Sequence, residues 1–184
     1  MSPPPQTPYD HPEMIGRQGV NRMTDASNDR RTDRAERLIK ASPSAVYAAL
    51  IDPAAVAVWL PPEGMKGQVH AFEPHVGGVF RMKLIYEAPD DRTQGKSSED
   101  ADIVSGRFVA LEPDRCVVQE TEFQSDDPAF AGTMRITWAL EPVADGTRVS
   151  VTCENVPDGI SRVDHDAGLR STLANLASFM EQAG

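Results

Sequence analysis

The chain has 184 residues and a formal net charge of −10, with 18 Lys and Arg against 28 Asp and Glu. This length suits one domain with or without a tail, and the acidic balance argues against nucleic acid or anionic membrane surfaces as partners. The sequence has no secretory signal pattern and no apolar run long enough to span a bilayer, which argues against membrane insertion and favours a cytoplasmic location.

Residues 1–32 predict a disordered tail. They contain five of the fifteen prolines and show no apolar periodicity, so they cannot bury enough surface to offset the loss of chain entropy. Met23 is a plausible second start of translation, so the sequence leaves open whether residues 1–22 belong to the native protein. The predicted domain spans residues 33–184.

The predicted domain begins with a strand and two short helices. RAERLIKA (34–41) has the pattern of a strand. Ser42 and Pro43 suit the N-cap and the first turn of a helix. PAAVAVWL (53–60) predicts a second helix, which the following Pro-Pro pair ends.

Six further strands are predicted before a long C-terminal helix. Most links between them are short and rich in turn residues, which favours antiparallel pairing of sequence neighbours. The exception, residues 88–100, is polar and predicts a mobile loop. The helix begins near Asp164, where apolar residues start to recur at three- and four-residue steps. The strands are GQVHAFE (67–73), GVFRMKLIYE (78–87), ADIVSGRFVAL (101–111), RCVVQETEF (115–123), GTMRITWALE (132–141) and TRVSVTCEN (147–155).

Alternation gives several of these strands one apolar and one polar face, as in a sheet that is covered on one side. Residues 115–123 are ambiguous, because each face carries polar groups: Gln119 with Thr121 on one, Glu120 with Glu122 on the other. An edge strand or a strand end with both faces in solvent is favoured there over a strand that lines a water-filled cavity.

Gly77 and Gly78 stand directly before the third predicted strand. A sheet that wraps around a helix must bend and twist, and glycine permits such a backbone, so we expect the pair to serve the fold. A phosphate-binding loop is not indicated, because neither GxGxxG nor GxxxxGK[ST] occurs and a strand follows.

Three segments carry a family-level pattern: the helix pair SPSAVYAALIDPAAVAVWLPP, the strand entrance FEPHVGGVFRMKL and the final helix AGLRSTLANLASFME. Over residues 34–183 the chain resembles the START-like (SRPBCC, Bet v 1-like) superfamily, and within it the group related to the C-terminal domain of the activator of heat-shock-protein ATPase. Leu169 stands where that group commonly has Trp. The resemblance implies an α+β helix-grip fold, in which a curved antiparallel sheet wraps around the long C-terminal helix and leaves a cavity. Two short helices follow the first strand.

The titratable residues show no catalytic or metal-binding signature. The histidines lack metal-ligand spacing, so neither a metal nor another cofactor is expected. Cys116 and Cys153 lie within predicted strands without CxxC spacing, which favours two buried free thiols over a disulfide or a nucleophile. The four histidines are His11, His70, His75 and His165.

The apolar strand faces and the final helix supply the expected lining of the implied cavity. Such a cavity favours a small hydrophobic or amphipathic molecule as the partner, and ordinary core packing is the alternative role for each lining residue. The expected ligand-binding residues are Trp59, Phe72, Phe80, Met82, Met134, Trp138, Leu173, Leu176 and Met180.

A binding protein is therefore favoured, and two other functions stay open. An enzyme of the polyketide cyclase or hydrolase kind, known among relatives, would need one of His75, Arg81, Glu120, Glu122 or Arg135 to be enclosed. A chaperone ATPase cofactor that acts by protein contact rests on analogy of fold alone. The sequence names no ligand, and a homodimer is also left open.

Overall fold

The computed structural model describes residues 31–87 and 101–183. The predicted order of strands and helices is confirmed, and a short 3-10 helix is an addition. Residues 1–30, which hold most of the predicted tail, and the predicted loop at 88–100 lie outside the described residues. The elements are β1 (Asp33–Ile39), α1 (Pro43–Ile51), α2 (Pro53–Trp59), β2 (Met65–Phe72), β3 (Val79–Tyr86), β4 (Ala101–Glu112), β5 (Cys116–Phe123), the 3-10 helix (Pro128–Phe130), β6 (Met134–Val143), β7 (Gly146–Glu154) and α3 (Arg162–Ala183).

One antiparallel sheet holds the seven strands in the order β1-β7-β6-β5-β4-β3-β2. Strands β2 to β7 pair with their sequence neighbours, whereas β1 pairs with β7, Asp33 lying opposite Cys153. The first two strands of the chain therefore form opposite edges of the sheet, and α1 and α2 connect these edges. With α3 packed along β1 and against α2, the expected α+β helix-grip fold is confirmed.

Both short helices begin as their sequences predict. The Ser42 hydroxyl accepts a hydrogen bond from the Ala45 amide at 3.2 Å, and the Asp52 carboxylate accepts one from the Ala54 amide at 2.9 Å. Each helix has proline in its first turn, where the missing amide proton costs nothing. Asp52 ends α1 and caps α2, so the two helices follow each other without a loop.

The packed core lies between α1, α2, the second half of α3 and the strands at the β1 edge of the sheet. Ala35 on β1, Val151 on β7 and Trp138 on β6 stand side by side in register, and all three are buried. Leu173 and Leu176 of α3 complete this core, with 1% and 0% of their surfaces exposed. Removal of this apolar surface from water stabilises the packing of the helices on the sheet. Among the helices of the described residues, none is long and apolar enough to cross a membrane.

Strand β5 is the central strand of the sheet, so the preferred interpretation of residues 115–123 as an edge strand is wrong. Gln119 and Thr121 lie opposite inward-facing residues of β6. Glu120 faces outward, where its carboxylate lies 2.6 Å from Arg107 and 3.4 Å from Arg135. The polar inward side chains border a cavity rather than bulk solvent, which alternation along one strand could not show.

The Gly77-Gly78 pair forms a tight turn into β3. Gly77 has φ +84°, a left-handed conformation that disfavours side chains, and a Cβ on Gly78 would lie 2.1 Å from the Glu73 carbonyl oxygen. The turn is fixed to β4, because Gly77 donates to the Phe108 carbonyl at 2.8 Å and Phe108 donates to the Gly78 carbonyl at 2.9 Å. The pair meets a backbone requirement, as predicted.

Both cysteines are free thiols, which confirms the prediction that they form no disulfide. Cys153 is buried, whereas Cys116 is only half-buried, so the expected burial holds for one of the two. Burial, followed by the charge of Asp33, raises the pKa of Cys153 to about 12. Such a thiol stays protonated at physiological pH and is a poor nucleophile.

Candidate functional site

A cavity of about 560 Å³ lies between the inner face of strands β3–β6 and the first half of α3. Gly168 on α3 borders it, and no atom lies within 4 Å of the position that a Cβ would take there. Leu60 and Pro62 border the cavity after α2, and Phe130 borders it from the 3-10 helix. The volume falls within the roughly 300–1,000 Å³ range of small-molecule sites.

Five of the nine expected ligand-binding residues line this cavity, and four do not. Trp59 packs behind the wall with 2% of its surface exposed. Leu173 and Leu176 belong to the packed core, and Met180 packs against that core from the last turns of α3. Helical periodicity identifies the face of α3 that meets the sheet, but not the point along the helix where packing gives way to open space. The five lining residues are Phe72, Phe80, Met82, Met134 and Trp138.

Edge-to-face aromatic contacts support the wall of the cavity. The Phe108 ring is fully buried and lies 5.3 Å from Phe72 and 5.7 Å from Phe80, centroid to centroid. Trp59 and Trp138 make a similar contact at 5.4 Å. Such pairs add stability beyond their buried area and hold the rings in fixed orientations. The lining is therefore positioned by side chains behind it.

His165 lies on the α3 side of the cavity, and its imidazole contacts the carboxylate of Asp33 on β1. Its Nδ1 is 2.7 Å from Asp33 Oδ2, and Arg31 Nε donates to the same oxygen at 3.0 Å. Arg31 also donates to the Ile160 carbonyl at 2.7 Å, which links this cluster to the entrance of α3. No sequence pattern predicts this cluster, because Asp33 and His165 are 132 positions apart and no spacing relates them.

The Asp33 carboxyl is ionised at neutral pH. Burial by itself raises the pKa of Asp33, but hydrogen bonds from His165 and Arg31, together with the charge of Arg31, outweigh burial and hold this pKa below its ordinary value. The side chains of Asp33 and His165 are 7% and 13% exposed, so the contact is largely shielded from water.

Several other polar side chains at the cavity already bond within the protein. The Thr121 hydroxyl donates to the Ser105 carbonyl at 3.3 Å, and the Thr172 hydroxyl donates to the Leu60 carbonyl at 3.2 Å. Burial, followed by the charge of Asp102 and a hydrogen bond to it, raises the pKa of Tyr86. The Tyr86 hydroxyl is thus a donor to the Asp102 carboxylate, which is 1% exposed.

Residues 40–181 match the family model described as activator of Hsp90 ATPase homolog 1-like protein, AHSA1. The chain belongs to this family. Its architecture agrees with the START-like superfamily to which the sequence motifs pointed, so the resemblance is confirmed.

Solved structures also resemble this AHSA1 family member. Protein CV1439 from Chromobacterium violaceum is 31% identical, with a TM-score of 0.71 over 82% of this chain and 96% of that chain. A Rhodobacter sphaeroides protein is 22% identical, with a TM-score of 0.68 over 83% of this chain and 93% of that one. The AHSA1 protein from Silicibacter pomeroyi is 20% identical, with a TM-score of 0.67 over 84% and 100%. The last two show the fold alone. A search of curated proteins finds no match.

Most of the residues considered for catalysis lie away from the cavity of this AHSA1-family chain. Glu120 and Arg135 pair on the outer face of the sheet, Glu122 is exposed there, and the His75 side chain is 69% exposed. Arg81 alone of the five borders the cavity. Within residues 31–87 and 101–183, no three His, Cys, Asp or Glu side chains are grouped to hold a metal ion.

Proposed function

We propose that this protein binds a small hydrophobic or amphipathic molecule in the cavity between its sheet and α3. The observation that carries the proposal is the cavity of about 560 Å³ lined by Phe72, Phe80, Met82, Met134 and Trp138. Apolar ligand surface buried against these side chains contributes roughly 25 cal/mol per Å². A few polar groups at the border, among them Gln119 and His165, suit a ligand with one polar end.

The lining combines rigid and adaptable parts. Phe108 and Trp59 support the aromatic residues of the wall from behind, so little side-chain order has to be gained on binding. Met82 and Met134 have flexible thioether side chains that adjust to different shapes. This combination favours a binding site that accepts a class of related apolar molecules.

The proposal includes a cytoplasmic location and a small molecule as the partner. Two free cysteines support a reducing compartment. Catalysis has less support, because four of the five residues considered for it lie outside the cavity. Binding therefore explains the arrangement better than a reaction does.

Substitutions at Gly168 test the proposal. Equilibrium dialysis should detect saturable binding of 2-methoxynaphthalene, one molecule per chain, to the wild type and to Gly168→Ala. Gly168→Phe would fill the space that opens above the helix, so its affinity should fall at least tenfold. Circular dichroism confirms that all three proteins are folded. No saturable binding to the wild type, or unchanged affinity in Gly168→Phe, would overturn the proposal.

A further inference from the structure

His165 offers the cavity a nitrogen that no other described residue bonds. The imidazole lines the cavity, and its Nδ1 faces Asp33 at 2.7 Å. Among residues 31–87 and 101–183, its Nε2 has no hydrogen-bond partner. The His165 side chain is 13% exposed and borders the cavity, so a bound molecule can supply a partner for Nε2.

The acid behind the ring decides which nitrogen carries the proton. Asp33 accepts hydrogen bonds from Arg31 and is ionised, so it can only accept from the imidazole as well. The neutral ring is therefore protonated on Nδ1, and Nε2 presents a lone pair. The cavity wall thus contains an oriented hydrogen-bond acceptor.

The remaining charged groups disfavour a charged ligand. Asp102 and Asp164 border the cavity and would repel an anion, and the chain carries a net charge of −10. Burial of an unpaired charge among apolar side chains is costly. A neutral hydrogen-bond donor avoids both penalties.

We propose that His165 Nε2 accepts a hydrogen bond from a hydroxyl group of the bound molecule. The ligand class is then a neutral alcohol or phenol whose apolar body lies against the strands of the cavity. The inference rests on the proposed function, because it concerns a molecule held in that cavity. His165 sets specificity, while the apolar lining supplies most of the affinity.

The test compares 2-naphthol with 2-methoxynaphthalene, which keeps the ring system and lacks the donor. Affinities for both are measured in the wild type and in His165→Phe. In His165→Phe, the Kd of 2-naphthol divided by the Kd of 2-methoxynaphthalene should rise by about five- to tenfold, as expected for the loss of one hydrogen bond. The two compounds differ in their free energy of transfer from water into the cavity. This difference is the same for both proteins, so it cancels when the two ratios are compared.

A matched control is His75→Phe, the same substitution at a histidine whose side chain is 69% exposed and does not border the cavity. The ratio should stay unchanged in this variant. A shift in Gln119→Leu, which removes a different polar group from the cavity wall, with none in His165→Phe would place the recognition on β5 and overturn the proposal. The anion 2-naphthoate and the cation 2-naphthylmethylammonium should each bind at least tenfold more weakly than 2-naphthol, and tighter binding of either overturns the assignment of a neutral ligand.

Imidazole ¹⁵N shifts of the wild type provide a readout that does not depend on the stability of a variant. Free His165 should show a protonated Nδ1 and an unprotonated Nε2 at neutral pH. Addition of 2-naphthol should move the Nε2 resonance, and 2-methoxynaphthalene should leave it nearly unchanged. A proton on Nε2 in the free protein, or equal responses to both compounds, would overturn the proposal.

The outcomes separate this inference from the proposed function. If neither compound binds the wild type, the proposed function fails. If both bind and the ratio is the same in His165→Phe, the cavity binds molecules without reading a hydroxyl, and only the inference fails. A loss of stability in His165→Phe with an unchanged ratio would mean that the contact to Asp33 only joins α3 to β1.

Discussion

The Trp59 ring meets the Trp138 ring edge-on, with centroids 5.4 Å apart and ring planes at 82°. Trp138 lines the cavity, while Trp59 lies behind it in the core and donates its Nε1 proton to the Ala49 carbonyl at 2.9 Å. Trp138 faces the proposed ligand, and Trp59 holds the Trp138 ring in place. Packing of the α1–α2 pair therefore sets the orientation of a residue on β6.

Trp59→Ala should lower the free energy of unfolding by about 3–5 kcal/mol, because it leaves a cavity in the core and an unpaired Ala49 carbonyl. Urea unfolding followed by circular dichroism measures this change. Val58→Ala is the matched control on the same helix, since Val58 is 67% exposed, and its effect should stay within about 0.5 kcal/mol. Equal effects at the two positions would contradict the buried role of Trp59.

The Asp33 cluster predicts a pH dependence of stability. The pKa of Asp33 is depressed in the folded state, so its contribution is fully present above the ordinary value of about 3.9 and is lost as pH falls through the folded value. The difference in unfolding free energy between the wild type and Asp33→Asn should therefore shrink from about pH 5 downward. Denaturant titrations at several pH values measure it. A difference that grows on acidification would show that the carboxylate is not stabilised by its partners.

Two glycines should respond to alanine in opposite directions. Gly168 lies within α3 and faces open space, so Gly168→Ala should stabilise the protein by about 0.5–1 kcal/mol. Gly77 has φ +84°, and Gly77→Ala should cost about 1–2 kcal/mol although no atom blocks the new methyl group. Thermal unfolding distinguishes the two. A gain in stability at position 77 would contradict the left-handed turn.

The cysteines should differ in reactivity. Burial raises the pKa of Cys153 to about 12, and burial followed by the charge of Glu112 also raises the pKa of Cys116, which is only half-buried. In the native protein at pH 8, iodoacetamide should modify Cys116 slowly and leave Cys153 unmodified. In urea both should react. Mass spectrometry counts the adducts, with Cys116→Ser as the control, and rapid labelling of native Cys116→Ser would show that Cys153 is accessible.

Local signals in the sequence predicted the elements well. Ser42 with Pro43, the Pro-Pro pair after α2 and the apolar stripe of α3 act over a few residues, so the sequence alone locates them. The pairing of β1 with β7 is of another kind, because it joins residues 108 to 120 positions apart, and no local signal in the sequence indicates it.

The site was predictable only in part, for physical reasons. Periodicity along β3 and β6 identified the inward residues Phe80, Met82 and Met134, all of which border the cavity. Whether an inward side chain meets another side chain or open space depends on what lies opposite, and the pattern of a strand carries no information about that. The contact of His165 with Asp33 depends on the same docking of α3 against β1.

The register of β1 against β7 has a consequence for synthesis of the chain. Among the paired residues of β1 and β7, Asp33 is synthesised first and Cys153 last. The backbone groups of β1 that pair with β7 therefore have no partner while most of the polypeptide is made. Closure of so long a loop is entropically unfavourable, and a waiting strand edge is open to pairing with other nascent chains. Completion of the sheet, rather than formation of its hairpins, should then determine how much newly made protein escapes aggregation.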